Sequence, residues 1–414
     1  MPEVQRRVAR RQATLIELGT TMRALADIEE LYRRRPLMNM PELQQLIPFY
    51  FDWLAHPSFD DYWQAIAPDT AYHQSGVPSQ IIGGWYDLFL GGTLTSYLGL
   101  KHQGGSDTAR RPRLLIGPWS HGIWHGVFAE RDFGLLAGTD AIDITGEQLR
   151  WFDYWLKDEE NGVIDDPLVK IFVMGRDQWR EEEDWSLPDT RYCQYYLHSG
   201  GHANTLHGDG VLSTEQPGNE PPDHYTYDPR DPTPTCGGAT LLPGMLTGVN
   251  AGPKDQRAVE LRNDVLIYTT APLARDLEVI GPVELTLYAA SSARDTDFTG
   301  KLVDVYPDGR ALILTDGILR ARYRNSYSQV ELLEPGTVYE LHIDLVATAN
   351  IFKVGHCIRL EVSSSNFSRF DRNSNTGGSI AQETEADSVS AINWIFHDNT
   401  HPSYLSLPII ERDE

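Results

Sequence analysis

Two polar residues each close an apolar run. Asp87 follows Gln80-Ile81-Ile82-Gly83-Gly84-Trp85-Tyr86, and 34 residues later His121 follows Leu114-Leu115-Ile116-Gly117-Pro118-Trp119-Ser120. An acid and a histidine together can serve acyl transfer. The imidazole takes a nucleophile's proton and returns it to the leaving group, while a carboxylate on its other ring nitrogen fixes the tautomer and stabilises the imidazolium. If both runs are strands of a parallel sheet, their carboxyl ends bring the two groups to the edge where α/β folds bind ligands. Taken singly, an Asp after a strand is a turn residue or helix cap, and a lone His is structural. The surroundings decide between these readings.

Short strands followed by helical segments begin at residue 78, the texture of βα units in a parallel sheet. Gln80 to Trp85 and Arg113 to Trp119 read as strands, with Leu88 to Leu100 as the helix between them. A further helix starts at Thr145, where Thr145 and Gln148 suit a capping box, and carries Leu149, Phe152 and Leu156 on one face. Lys157 to Asp166 is a charged linker. Upstream, Leu15, Leu18, Met22, Leu25, Ile28 and Leu31 recur at helical spacing over 12–34, and Pro36 stops that helix. A second helical stretch over 41–66 is rich in aromatics (Phe49, Tyr50, Phe51, Trp53, Tyr62, Trp63), which pack between helices or line a pocket.

Beyond about residue 168 the period becomes two. Val283, Leu285 and Leu287, then Leu341, Ile343 and Leu345, then Ile358, Leu360 and Val362 alternate with polar residues, as in strands with one buried face. Asp308-Gly309 is a hairpin signal. Many such strands with Pro/Gly-rich joins indicate an antiparallel sandwich of jelly-roll type.

Composition narrows the function. The hydrophobic share of 41% and charged share of 23% are those of a globular protein, and no apolar run reaches the roughly 18 residues of a membrane span. A net charge of −24 opposes nucleic-acid binding, which depends on Lys and Arg displacing counterions. Cys193, Cys236 and Cys357 are scattered, with no C-x-x-C pair, and read as structural thiols. With no apolar signal core after Met1, a cytoplasmic location is expected. His121 and His125 stand four apart and could share a helical face, but without a third ligand or an H-E-x-x-H glutamate no metal or other cofactor is expected. Asp295-Thr296-Asp297 reads as a solvated turn, with calcium binding as its alternative.

Several longer stretches carry a family resemblance. Gly84-Trp85-Tyr86-Asp87 with Phe89, Gly117-Pro118-Trp119-Ser120-His121, and Leu149 through Lys157 resemble the cocaine esterase-like (CocE/NonD) hydrolases. That group is similar to the X-Pro dipeptidyl-peptidases and α-amino-acid ester hydrolases. The likeness continues through Val173-Met174-Gly175, Lys301 to Tyr306 and Ser365 to Asn373. It implies an α/β plus β architecture: a remnant helical cap over 1–75, the C-terminal part of an α/β-hydrolase domain over 76–160, and a jelly roll over 168–414. Asp87 matches the family's triad acid, His121 its base, and Phe89 a ring lining the acyl pocket, with core packing as the alternative for that ring. Acid before histidine is also the chain order of α/β-hydrolases, whose serine lies upstream on a G-x-S-x-G elbow.

That serine is not evident. Ser106 follows Gly104-Gly105 but precedes Asp107-Thr108, and Ser120 adjoins the base itself; neither suits an elbow. The resemblance therefore implies a Ser-His-Asp hydrolase of small ester or amide substrates to which this chain contributes Asp87 and His121. The serine belongs to a longer reading frame or split gene, to a complementing N-terminal fragment or other partner chain, or is lost in a degenerate homologue; a homo-oligomer is a further expectation of the resemblance. A non-catalytic jelly-roll binding module is the rival reading. A short parallel remnant would expose apolar faces. The isolated chain is accordingly expected to aggregate or to have a poorly packed hydrolase part, and a soluble monomer unfolding in one sharp transition reported by Trp85 and Trp119 fluorescence would contradict this.

Overall fold

A computed structural model describes residues 28–44, 47–241 and 250–411, with Thr14, Ile16, Gly19, Thr20 and Arg23 before them. Leu15, Leu18, Met22 and Leu25 of the expected first helix lie outside the described residues. Its end is α1 (Ile28–Arg33), where Leu31 is buried against Met40 and Leu43. The second helical stretch is broken into α2 (Pro41–Gln44), α3 (Phe49–Ala55) and α4 (Asp61–Gln64). Pro48 precedes α3, and the Asp60 carboxylate caps α4 by accepting from the Tyr62 N–H, so local stop and start signals outweigh the continuous aromatic pattern. Of those aromatics Tyr50 and Phe51 pack on the Leu31 cluster, whereas Phe49 and Trp53 remain exposed.

The two expected strands form and pair in parallel. β1 (Gln80–Tyr86) and β2 (Arg113–Ser120) are joined by α5 (Leu90–Gln103), which buries Leu90, Leu94, Tyr97 and Leu100. All eight residues of β2 are buried, as befits an inner strand. α6 (Ile144–Lys157) begins one residue before Thr145, and the Asp143 carboxylate accepts from the Gly146 N–H in place of the Thr145–Gln148 box. The linker after α6 is held at Asp166, which accepts from Arg113 and from both terminal nitrogens of Arg150.

β3 (Val169–Val173) and β4 (Gln178–Glu182) extend the first sheet to the order β1-β2-β3-β4, with β3 parallel to β2 and β4 antiparallel to β3. A domain division at residue 168 would assign these strands to the second domain, but their hydrogen bonds run to the first.

The remaining strands build a largely antiparallel β domain. These are β5 (Thr190–His198), β6 (Val211–Ser213), β7 (Asp223–Tyr227), β8 (Leu266–Thr269), β9 (Leu277–Ser291), β10 (Asp297–Val305), β11 (Ala311–Arg320), β12 (Tyr339–Phe352), β13 (Cys357–Ser363), β14 (Ala391–Phe396) and β15 (Tyr404–Ile410). They run in the order β11-β10-β13-β8-β6-β5-β15-β9-β14-β7, with β12 on β9. Gly309, at φ +87°, turns β10 into β11 at the Asp308-Gly309 signal. One continuous core joins Ile116 and Ile171 of the small sheet to Leu285, Leu345 and Leu360 of the β domain.

Alternation fails on β13, where Arg359 and Glu361 are buried along with Ile358, Leu360 and Val362. On the second face Arg359 pairs with Glu260 of α7 (Arg257–Glu260) at 2.8 Å, and Glu361 pairs at 3.4 Å with Lys301, its cross-strand neighbour on β10. Nor is Asp295-Thr296-Asp297 a solvated turn. Asp295 and Asp297 are fully buried and bind Arg322 and Arg320 at 2.8 and 2.9 Å, with Asn373 donating to both carboxylates. These arginines and Asn373 come from distant segments, which short sequence windows do not bring together. The three thiols are unpaired and half-buried, and burial pushes each of them up. Among the described residues no helix is long and apolar enough to cross a membrane.

A second buried ionic group fixes β7 to β14. His397 Nε2 lies 2.9 Å from Asp223, and its Nδ1 lies 3.3 Å from Glu220. Burial alone would hold the imidazole neutral, but Asp223 and Glu220 outweigh it and raise its pKa above the usual histidine value. Burial likewise opposes ionisation of Asp223, yet His397, the Ala203 N–H, Ser199 and Tyr268 together lower it. The histidine's contribution is present below its unfolded pKa and lost as pH rises through the raised value. The carboxylate's is present above its unfolded pKa and lost as pH falls. His397→Gln is expected to destabilise the protein by roughly 3–5 kcal/mol near pH 5.5. In urea unfolding the difference from the native chain should shrink toward pH 9; a pH-independent difference would contradict this linkage.

Candidate active site

The parallel register sets Gly84 against Gly117 and Tyr86 against Ser120, with an irregularity between Gly84 and Tyr86. Two glycines permit this close packing. A Cβ on Gly84 would lie 2.4 Å from the Trp119 carbonyl oxygen, and one on Gly117 would lie 2.3 Å from the Trp119 ring. Trp119 is itself fully buried, donates through Nε1 to Ala137 O at 2.7 Å, and packs between Trp124 and Trp179. On the neighbouring strand Trp85 donates to Phe172 O at 2.7 Å. The two strand ends are therefore anchored by indoles on either side of the polar residues that follow them.

Asp87 leaves β1 in a tight turn. Its N–H donates to Gly84 O at 3.0 Å, and Oδ1 accepts from the Phe89 N–H at 2.9 Å just before α5 begins. This is the capping behaviour expected of a lone Asp after a strand. The other oxygen does something more: Oδ2 lies 3.2 Å from His121 Nδ1. One carboxylate thus shapes the turn and orients an imidazole. Asp87 is well covered, with 13% of its side chain exposed, against 31% for His121. Because Nδ1 faces the carboxylate, Nε2 is the nitrogen left to exchange a proton. The Phe89 ring meets the imidazole edge-on at 5.2 Å and is 56% exposed, so it borders open space and does not fill the core.

A cleft of about 340 Å³ opens between Leu88, the residue after Asp87, and the β domain, lined also by Tyr32, Thr240, Arg369 and Phe370. The β domain thereby approaches the strand ends. Arg369 and Phe370 belong to the Ser365–Asn373 run, whose letters mark a pattern but carry no period that predicts where the loop folds. Arg369 is held by Asp316 of β11, which fixes its guanidinium at the cleft.

The other candidates separate from the pair. His125 sits in a turn and accepts from the Val127 N–H, so it does not share a helical face with His121. Among the described residues no group of three His, Cys, Asp or Glu side chains is disposed to hold a metal. Ser106 Oγ donates to Gly76 O and accepts from the Ala109 N–H, a turn-forming role. Ser120 is buried with its hydroxyl unpartnered. Ser199 lies 3.3 Å from His397 but donates to Asp223 at 2.7 Å, and that histidine is fully buried with both ring nitrogens facing the carboxylates of Asp223 and Glu220.

The model of the X-Pro dipeptidyl-peptidase C-terminal non-catalytic domain matches residues 161–406, and that of the X-Pro dipeptidyl-peptidase (S15) family matches residues 5–123. The cocaine esterase of Rhodococcus sp. (strain MB1 Bresler) is 45% identical over 378 residues, 91% of this chain and 64% of that enzyme. The chain belongs to the CocE/NonD family of serine hydrolases. Among solved CocE/NonD-like structures, an aminopeptidase from a marine sediment Thaumarchaeota archaeon aligns with a TM-score of 0.78 at 27% identity. An α-amino acid ester hydrolase aligns with 0.77 at 26%. Both alignments cover 89% of this chain and 61% of the other. The chain thus spans somewhat under two-thirds of the length of these relatives.

The close approach at Gly84 is testable apart from catalysis. Gly84→Ala should cost about 1–3 kcal/mol, because the Trp119 backbone must move. Gly92→Ala, at an exposed position of α5 with nothing near its Cβ, should stabilise by about 0.4–1 kcal/mol. Thermal melts of the two variants would contradict the packing argument if both moved the same way.

Proposed function

We propose that this protein is part of a serine hydrolase acting on ester or amide bonds, in which His121 is the general base and then the general acid. Asp87 holds the histidine's tautomer, and Phe89 borders the acyl group. The observation that carries this reading is the 3.2 Å contact between Asp87 Oδ2 and His121 Nδ1 at the carboxyl ends of adjacent parallel strands. In this mechanism a serine hydroxyl attacks the carbonyl carbon while His121 Nε2 accepts its proton. Backbone or side-chain donors stabilise the tetrahedral oxyanion. The proton then passes from Nε2 to the leaving alcohol or amine as the carbonyl–leaving-group bond breaks, and water attacks the acyl-serine with His121 again as base.

The serine and the oxyanion donors are assigned to a segment outside these 414 residues, since no described serine meets His121 Nε2. The small sheet is then the C-terminal part of an α/β-hydrolase domain, residues 28–75 the rest of its cap, and the β domain a jelly roll that walls the cleft through Arg369 and Phe370. The similarity to an esterase and to peptidases supports the bond class and leaves the choice between ester and amide to the cleft.

A fluorophosphonate probe should leave the isolated chain unlabelled. In an enzyme completed with its serine, Asp87→Asn should keep the fold, judged by an unchanged melt, and lower turnover by about 10⁴, the loss known for the corresponding change in the best-studied triad. Labelling of the chain alone, or full activity of Asp87→Asn, would refute the assignment.

A further inference from the structure

Beside the site, β12 carries a backbone outlier. Val346 has φ +65°, a left-handed conformation that is costly for a β-branched residue and that glycine ordinarily supplies at a bulge. The other described non-glycine residues with positive φ are Asp, Asn and one Thr, and Asp and Asn adopt it readily. The bulge comes from one extra residue. Asp344 pairs with Glu284 of β9 and Ala347 with Pro282, so three steps along β12 answer two along β9. Two hydrogen bonds pin it: Asp344 Oδ1 accepts from the Val346 N–H at 2.7 Å, and the Leu345 carbonyl accepts from the Thr315 hydroxyl of β11.

The Val346 side chain meets the start of α5. A Cβ built on Gly91 would lie 3.8 and 4.0 Å from its two methyls. Around this contact Asp87, Leu88 and Gly91 face Thr315, Asp316 and Val346 across a gap of about 20 Å³, room for a single water. The acid's turn is therefore pressed onto the β domain with little slack.

That turn needs support from outside. β1 loses its regular register with β2 between Gly84 and Tyr86, so the ladder holds Asp87 poorly from behind. From ahead, the Leu90 N–H donates to Asp87 O, but α5 opens with Leu90-Gly91-Gly92, and two adjacent glycines make a weak first helical turn. Strained backbone persists only where its surroundings over-determine it, and such strain gathers at functional sites.

We propose that Val346 is a positioning residue, whose bulge wedges the first turn of α5 and so holds the Asp87 carboxylate on His121. This assignment rests on the proton-transfer role proposed for Asp87 and His121, and it gives the β domain a part in the geometry of that pair.

The test is nitrogen-15 NMR of the full chain labelled at histidine, by magic-angle spinning, with His121→Gln identifying the His121 signals and hydrogen exchange measured alongside. At about pH 8.5, where imidazoles are neutral, native His121 should carry its proton on Nδ1. Val346→Gly, which suits the left-handed backbone and is expected to fold, should let the proton divide between the two nitrogens. Exchange in 87–93 should then speed about tenfold or more. Adding Gly91→Ala to Val346→Gly should restore the Nδ1 proton, because the new methyl points into the vacated space. Adding Gly92→Ala should not: it strengthens the helix equally but its methyl meets nothing. An unchanged tautomer in Val346→Gly, faster exchange spread through the whole chain, or two alanines that act alike would overturn the wedge. A native His121 without its proton on Nδ1 would overturn the proton-transfer reading itself, whatever Val346 does.

Discussion

The site depends on how closely β1 and β2 can run together at their carboxyl ends. Gly84 lets the Trp119 backbone come within van der Waals reach, and Gly117 leaves room for the Trp119 ring. That approach brings the residue after one strand within hydrogen-bond distance of the residue after the other. A wider spacing would leave an Asx turn and a surface histidine with no relation to each other. The indole anchors Trp85 and Trp119 make the spacing rigid, since both are buried and both satisfy their N–H on backbone carbonyls of neighbouring segments.

Much of this was legible in the sequence because it is local. Strand, helix, strand and the two polar termini follow from apolar runs and their ends, and the alternation on β9 and β12 reads directly as burial on one face. What escaped depends on distant partners. The break of the 41–66 stretch into three helices came from Pro48 and the Asp60 cap overriding a continuous pattern. Asp295 and Asp297 looked solvated because the arginines and asparagine that make their burial tolerable arrive from other segments. Asp87 illustrates the same point: its turn-forming oxygen is predictable from position alone, whereas its second oxygen acquires meaning only from a strand 34 residues away.

The β domain does more than sit beside the sheet. Met174, just past β3, exchanges backbone hydrogen bonds with β12, and Tyr86, the last residue of β1, donates to Ile313 O of β11. The small sheet is thus covered on one side by strands from the other half of the chain, which is why a four-stranded piece of mixed sheet has a buried face at all.

The helical segment at the amino end is moored to that same domain. Arg372 donates to Arg33 O, Arg35 donates to Ile380 O, and the Met38 N–H donates to Ala381 O. The first of these joins residues 339 positions apart. Closing so long a loop costs chain entropy before any contact repays it, so such contacts are among the last to form. Self-assembly therefore has an order: sheet and β domain first, each rich in nearer pairings, and the helical segment afterwards, onto a surface that exists only once the far end of the chain has folded. Within this stretch the helical segment waits for strands that follow it.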